Sequence, residues 1–221
     1  MQKIFSLLLI LVSTIPATAQ LPVKNEPRHH NIFENNYVRI LDVHFLPGDT
    51  TLYHLHNTPS VFINFTRTLV GSQLKDQQPG KSEFSVVGSI SYDELSTPRW
   101  HRVWNDDSTS YHVMDIELIA GNPSGQQQLL TALSLKLLDN KPLANIYQLQ
   151  LKKGEKITLP ATTTGYLLIS IGDALVNISC KNKVDYRVMK AGHFNWMTGG
   201  DEFSITKESG GDSRFALIQL K

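Results

Sequence analysis

The residues of this chain that are best suited to chemistry are His54 and His56, which close the stretch Gly-Asp-Thr-Thr-Leu-Tyr-His-Leu-His that begins at Gly48. Side chains on a β-strand alternate between its two faces, so residues two apart point the same way. Two imidazoles on one face are the beginning of a metal site, because neutral imidazole is a good ligand for divalent Zn, Fe, Ni and Cu. Two ligands rarely suffice, so a third must come from another element of the fold.

The elements that must hold these side chains have the pattern of short β-strands. Between Tyr37 and Leu46, for example, Leu41, Val43 and Phe45 alternate with polar residues, and β-branched and aromatic types dominate. Turn residues separate such segments, which the pattern predicts as strands over 37–46, 51–56, 60–69, 84–87, 89–92, 98–104 and 111–119. Many short strands at this spacing predict an antiparallel barrel or sandwich.

The same pattern returns in the second half of the chain. The segment 144–151 corresponds to 38–45, and the turn Lys153-Gly154-Glu155 corresponds to Pro47-Gly48-Asp49. A shared order of strand, turn and glycine over most of each half predicts a tandem of two similar β domains.

We place the domain boundaries from this repeat and from a change in composition near Gly121. The N-terminal domain is expected to span 20–122, a linker and the first strand of the second half 123–142, and the C-terminal domain 143–221. The segment 126–132 is predicted to form a short helix.

The first 19 residues have the pattern of a signal peptide. Lys3 gives a positive start, an apolar run covers 4–12, and Ala17 and Ala19 make a small-x-small cleavage site. The run is too short to span a bilayer, which needs about 20 residues. We therefore expect an exported protein, periplasmic or extracellular, with no membrane span; the alternative is a buried N-terminal helix or strand.

Charge and cysteine content exclude two classes of protein. The chain has 21 basic and 20 acidic residues, a net charge of +1, which does not favour binding to nucleic acid. Cys180 is the single cysteine, so no disulfide can form within the chain, and its strand-like flanks favour a buried, inert thiol.

The histidines resemble the two motifs of the cupin family. The first motif is Gly, five residues, His-x-His, which Gly48 to His56 matches with its spacing; the second ends in His-x-x-x-Asn, which His101 to Asn105 matches. The resemblance implies two tandem cupin-type β-barrels of the double-stranded β-helix or jelly-roll class. It thus implies a bicupin-like, all-β chain with a degenerate second domain.

Departures from the motifs matter for the site. The glutamate of the first motif falls on Ser60 or Val61, neither of which is a carboxylate. In the second half Pro160, Thr162 and Phe203 occupy the places of the histidines, so that half is expected to carry no metal.

The resemblance implies that His54, His56 and His101 bind one divalent transition metal, which could be Fe, Mn, Ni, Cu or Zn. Three neutral imidazoles leave the charge of the ion uncompensated, which favours a small, anionic organic ligand in the open positions. Such a site could serve a metal-dependent oxygenase or isomerase. A homodimer is the default for the family.

Other interpretations stay open at this point. The barrel could bind a metal or small ligand without turnover, the histidines could be hydrogen-bonded without metal, or the chain could be a structural interaction module. No general base is evident. His44 and His112 are expected to be structural, His29 and His30 to lie in an exposed terminal segment, and Arg39, Arg67 and Arg102 to point outward.

Overall fold

The computed structural model of the protein describes residues 21–121 and 127–221. The predicted signal peptide, residues 1–19, lies outside these ranges. The regular secondary structure of the described chain is almost entirely β-strand, which confirms the all-β prediction; one 3-10 turn covers Val23–Asn25. In the described parts of the chain, no helix is long and apolar enough to cross a membrane.

Ten strands form the first half of the described chain: β1 (Leu21–Pro22), β2 (His29–Glu34), β3 (Val38–Phe45), β4 (His54–His56), β5 (Ser60–Asn64), β6 (Leu69–Leu74), β7 (Glu83–Phe84), β8 (Ile90–Asp93), β9 (Arg99–Asn105) and β10 (Tyr111–Leu118). Nine form the second: β11 (Leu135–Asn140), β12 (Ala144–Leu151), β13 (Lys156–Leu159), β14 (Gly165–Ser170), β15 (Ala174–Cys180), β16 (Lys183–Met189), β17 (Phe194–Thr198), β18 (Phe203–Ser209) and β19 (Ser213–Leu220).

Each half folds into two facing sheets with the same strand order. The first half has the sheets β2-β3-β10-β5-β8 and β1-β4-β9-β6-β7, and the second has β11-β12-β19-β14-β17 and β13-β18-β15-β16. Every strand of the second half therefore has a topological counterpart in the first. Because strands alternate between the two sheets, each half is a jelly-roll barrel with an interior between its sheets.

The interiors of the two barrels differ. A cluster of 15 buried apolar residues fills the second barrel, with Tyr147, Tyr166 and Phe215 as its largest members. The corresponding cluster in the first barrel has only five, including Leu41, Val43 and Phe45. The first barrel is therefore the one with room for a ligand.

A third apolar cluster joins the two halves. It packs the outer face of β3, β5 and β10 against that of β12, β14 and β19, with Ile40 and Met114 on one side and Ile146 and Ile218 on the other. Since side chains alternate along a strand, fixing this outer face also fixes which residues of β3 and β10 point into the first barrel.

Two predicted elements are wrong. Residues 127–132 are not helical: the Leu130 N–H bonds to the Tyr147 hydroxyl and the Gln128 carbonyl accepts a bond from Gln219, so the barrel engages this backbone in place of helical hydrogen bonds. The single strand over 60–69 is two strands, because the chain leaves one sheet after Asn64 and enters the other at Leu69.

Candidate metal centre

Four histidine rings meet inside the first barrel. His54 and His56 lie on β4, and His101 lies on β9 directly opposite His54. The ring centroids of His54, His56 and His101 are 4.7–5.0 Å apart. His29, at the start of β2, adds a fourth ring 4.7 Å from His54. The structure thus brings together the three residues predicted from the sequence and one more.

Because side chains alternate along a strand, His54 and His56 lie on the same face of β4. His54 and His56 are both buried, whereas Leu55 between them faces the other way and is partly exposed. Their Nε2 atoms are 3.1 Å apart. Neighbouring strands β1 and β9 hydrogen-bond to the two edges of β4, so this pair stands on backbone that is held on both sides.

His29 was expected to be exposed, and that expectation is wrong: only 8% of it is accessible. The 3-10 turn before it brings the buried Glu26 carboxylate to within 2.7 Å of its Nδ1, and the same carboxylate accepts the N–H of Arg28. The ligating atoms of His29, His54 and His56 all lie within 4.8 Å of one another. The sequence signal was a glutamate three residues before a histidine, next to a proline-bounded turn.

Oxygen acceptors fix the orientation of two of the rings. His29 donates its Nδ1–H to Glu26, and His54 donates its Nδ1–H to the Leu52 carbonyl at 2.9 Å. Such acceptors on the far nitrogen select the tautomer with a free Nε2 and are typical of metal-binding histidines. The Nδ1 of His56 lies 3.5 Å from Asp115 Oδ2, but neither atom has a hydrogen-bond partner among the described residues.

The ring of His101 also has a nitrogen without a hydrogen-bond partner. The Nε2 atom of His101 is buried and has no hydrogen-bond partner among the described residues. Leaving a buried polar atom unpaired costs about 1–3 kcal/mol, unless a ligand satisfies it. The donor set therefore fits a divalent transition ion, and the occupation of these histidines by metal stays a prediction.

Burial keeps the imidazoles in the form that binds metal. Desolvation lowers the pKa of His54 to about 4 and that of His101 to about 2, and it lowers the pKa of His56 as well. The rings also repel one another when charged. They are consequently neutral at physiological pH, and protons hardly compete with a metal ion for their nitrogens.

Asp115 is a carboxyl group that the sequence analysis did not identify. It is fully buried on β10, and both of its oxygens lack a hydrogen-bond partner in the described structure. Burial, aided by the nearby charge of Glu117, raises the pKa of Asp115 to about 7. A carboxyl with such a pKa has the chemistry of a general acid or base, which the sequence had seemed to lack.

The histidines line one side of a cavity of about 570 Å³ in the first barrel. Phe45, Phe62 and Tyr111 provide an aromatic wall, and Arg99 provides a positive charge at its edge. Arg99 forms an ion pair with Asp93, while its Nε atom is buried without a partner. Size, apolar walls and a few polar groups are typical of a small-molecule site.

The arginines considered from the sequence lie elsewhere. Arg39 pairs with Glu34 and Glu117, and Arg67 lies over the ring of Phe84. Arg102 lies near the ring of Tyr53. None of the three lines the cavity. Arg67 is exposed, as predicted, but Arg39 shares the inner face of β3 with Leu41 and its side chain is only 14% exposed, so its predicted outward orientation is wrong. Arg99 is the cavity arginine that sequence reasoning missed.

Among its described residues, the second barrel has no comparable cluster of histidines and carboxylates. Thr162, which takes the place of a histidine in the repeat, is buried, and His193 is exposed. The apolar cluster occupies the interior of this barrel. Both groups of potential metal ligands found in the described residues are in the first half.

No family model matches the sequence, and no curated protein is similar to it. Solved structures are similar in fold. AerE from Microcystis aeruginosa is 13% identical, with a TM-score of 0.57 over 89% of this chain and 98% of that one. A cupin 2 conserved barrel domain protein from Leptotrichia buccalis is 12% identical, with a TM-score of 0.57 over 87% and 88%. Salicylate 1,2-dioxygenase from Pseudaminobacter salicylatoxidans is 8% identical, with a TM-score of 0.59 over 84% and 75%.

These likenesses confirm the resemblance predicted from the sequence. The chain has the cupin fold in a bicupin-like arrangement, with two β-barrels in tandem. At such low identities the comparison establishes the fold, and any function must come from the residues in the first barrel.

Proposed function

We propose that the first barrel binds a divalent transition metal through His54, His56 and His101, with His29 as a further ligand, and that it uses this metal to act on a small organic anion. The observation that carries the proposal is the convergence of four imidazoles, of which three are buried and two donate their Nδ1–H to oxygen acceptors. Iron, manganese, nickel, copper and zinc all suit such a nitrogen-rich site.

The charge balance supports an anionic ligand. Four neutral imidazoles do not compensate the charge of a divalent ion. The carboxylate of Glu26, 2.7 Å from His29 Nδ1, offsets at most one unit of that charge, and Asp115 is partly protonated at neutral pH because its pKa is about 7. Arg99, with an unpartnered Nε at the cavity edge, can hold a carboxylate. The aromatic wall of Phe45, Phe62 and Tyr111 suits a ring. One protein of similar fold is a salicylate 1,2-dioxygenase, so an aromatic carboxylate is the first ligand class to test.

The reaction class follows from what the residues can do. A bound metal supplies Lewis-acid activation of the ligand or, when it is redox-active, reactivity with O₂. Around it, Arg99 orients the ligand, the aromatic residues exclude water, and Asp115 holds or releases a proton at its carboxyl oxygen. These roles suit an oxygenase-like or an isomerase-like activity.

Metal analysis tests the binding part of the proposal. Untagged mature protein is analysed for bound transition metals by mass spectrometry, alongside His56→Ala and the matched control His193→Ala, whose histidine is exposed in the second barrel. We expect His56→Ala to lose about one equivalent relative to the other two proteins. Equal metal content in all three, or less than about a tenth of an equivalent before and after metal addition, would refute the site.

Activity is then measured with the metal-loaded protein. Oxygen uptake and product spectra are recorded with phenolic acids, benzoates and 2-oxo acids, first in air and then without oxygen. Consumption of O₂ identifies an oxygenase, and conversion without O₂ identifies an isomerase. Stoichiometric binding with no conversion would leave a metal- and ligand-binding protein, the alternative function.

Export is a separate proposal, supported by the signal-like pattern of residues 1–19. Expression of the whole chain in a bacterium should give a periplasmic or secreted product whose N-terminus is residue 20. Recovery of the uncleaved chain from the cytoplasm would contradict it.

A further inference from the structure

A second group of potential metal ligands lies on the other face of the β3–β10 pair. Asp42 and His44 are two apart on β3, and His112 on β10 is directly opposite His44. The ligating atoms of these three residues all lie within 4.8 Å of one another. They share their face with Ile40 and Met114, whereas the cavity-lining Val43 and Val113 point to the opposite side.

We propose that Asp42, His44 and His112 form a second divalent-metal site, outside the barrel and at the rim of the contact between the two halves. Two imidazoles and one carboxylate favour Zn²⁺, Cu²⁺ or Ni²⁺ over Mg²⁺ and Ca²⁺, which prefer oxygen ligands. Because the β3–β10 ladder separates it from the four internal histidines, this site can bind or fail to bind independently of the proposed function.

The geometry brings the ligands toward one point. The Nε2 of His112 is 2.7 Å from one oxygen of the Asp42 carboxylate, and the Nε2 of His44 is 3.0 Å from the other. A single carboxylate thus holds both nitrogens on the same side, and the two rings stack with centroids 4.0 Å apart. A divalent ion would replace the protons that now bridge these nitrogens and oxygens.

The surroundings fix one imidazole and leave the other accessible. The backbone of Gly192, from the second half, packs on His112 so closely that a Cβ there would lie 2.9 Å from its Cε1. The Phe65 ring lies 4.6 Å from the His112 ring on the same side of the group. His44 is about half exposed, so an ion can enter from solvent. His30 is directly opposite Asp42 on β2 and can supply a fourth ligand by rotation of its side chain.

Counting bound Zn²⁺ tests this site. Untagged protein is dialysed against excess Zn²⁺, and the bound ion is measured for the wild type, His44→Gln, Asp42→Asn and the matched control Asp173→Asn, an exposed aspartate of the second half. We expect His44→Gln and Asp42→Asn each to bind one equivalent fewer than the wild type and the control. Circular dichroism checks that each variant is folded.

Equal stoichiometry in all four folded proteins would overturn the second site, as would a loss in His44→Gln without one in Asp42→Asn. Metal binding by the four histidines inside the first barrel is measured separately, with the His56→Ala variant. A protein that loses one equivalent with His44→Gln but none with His56→Ala has the second site and lacks the first.

A different feature concerns the edge of the second barrel. Strand β16 pairs with β15 and with no other strand of the described residues. Along it, Val184, Tyr186 and Val188 share one face and are 55%, 64% and 72% exposed. An open edge with an exposed apolar row is a template for another strand.

We infer that β16 pairs antiparallel with β16 of a second copy of this chain. When the pairing is centred on Tyr186, Val184 lies opposite Val188 of the second copy, and Asp185 lies opposite Arg187. The charged side chains of β16, which would repel many other strands, are therefore complementary to those of β16 in the second copy. Apolar and opposite-charge cross-strand pairs each contribute to sheet stability, and a two-fold interface is of this self-complementary type.

Charge reversal tests the pairing by analytical ultracentrifugation over a range of concentrations. We expect a dimer for the wild type, a monomer for Arg187→Asp and for Asp185→Arg because like charges then face each other, and a dimer again for the double variant with both changes. A monomeric wild type at all concentrations, or a double variant that behaves like the single ones, would refute the interface.

Discussion

The burial of neutral histidines predicts that the metal-free protein loses stability in mild acid. His54, His56 and His101 have folded-state pKa values far below the ordinary value of 6.5. For a base whose pKa is lowered on folding, the unfolded chain binds the proton more readily, so the stability is present above pH 6.5 and is lost as pH falls below it.

The magnitude follows from the number of groups. When the pH falls from 7.5 to 5.5, each of the three histidines lowers the free energy of unfolding by about 1.4 kcal/mol, because only the unfolded chain takes up its proton. The three together lower it by about 4 kcal/mol. Asp115 acts in the opposite direction, since its folded pKa of about 7 lies above the ordinary value and the folded state gains a proton in this range. This contributes about 2 kcal/mol, so the net loss is about 2 kcal/mol.

Urea unfolding of metal-free protein at the two pH values measures this loss. Asp115→Asn removes the opposing contribution, so its loss should rise to about 4 kcal/mol. Saturating metal should protect the fold, because it binds the folded state. If Asp115→Asn is equally stable at pH 5.5 and 7.5, the histidines are not buried in neutral form. If its loss equals that of the wild type, Asp115 does not take up a proton on the folded protein in this pH range.

Three further predictions concern single side chains. Glu26→Gln removes the carboxylate acceptor behind a ligating histidine and should weaken metal affinity about 10–100-fold in a chelator competition, whereas unchanged affinity would contradict its orienting role. Arg99→Gln should weaken binding of an aromatic carboxylate by about 1.5–3 kcal/mol in calorimetry with metal content unchanged, while Arg67→Gln, outside the cavity, should have no effect. Gly71→Ala places a Cβ 2.3 Å from the ring of Trp104 and should lower the free energy of unfolding by about 1–3 kcal/mol. Gly172→Ala is the control, because a Cβ there meets nothing within 4 Å and should leave that free energy unchanged. Equal effects of the two substitutions would refute the packing argument.

The histidines that could be found from the sequence are those that local rules determine. His54 and His56 share a face because a strand repeats every two residues, and the alignment of His101 with them followed from motif spacing. His29 could not be placed, because its burial depends on the pairing of β2 with β3 and on the Glu26 turn. Asp115 is indistinguishable, in an alternating strand, from an aspartate that faces water.

The two halves of the chain share one topology but differ in how their interiors are filled. The second barrel, with the same strand order as the first, fills its interior with residues such as Tyr147 and Tyr166. Its outer face then packs against Met114 and Ile116 of β10. Because side chains alternate, burying those two residues in the contact forces Asp115, which lies between them, into the first barrel beside the histidines. The second barrel, which has no comparable group of histidines among its described residues, thereby fixes the register of the strand that places a buried acid beside the histidines of the first.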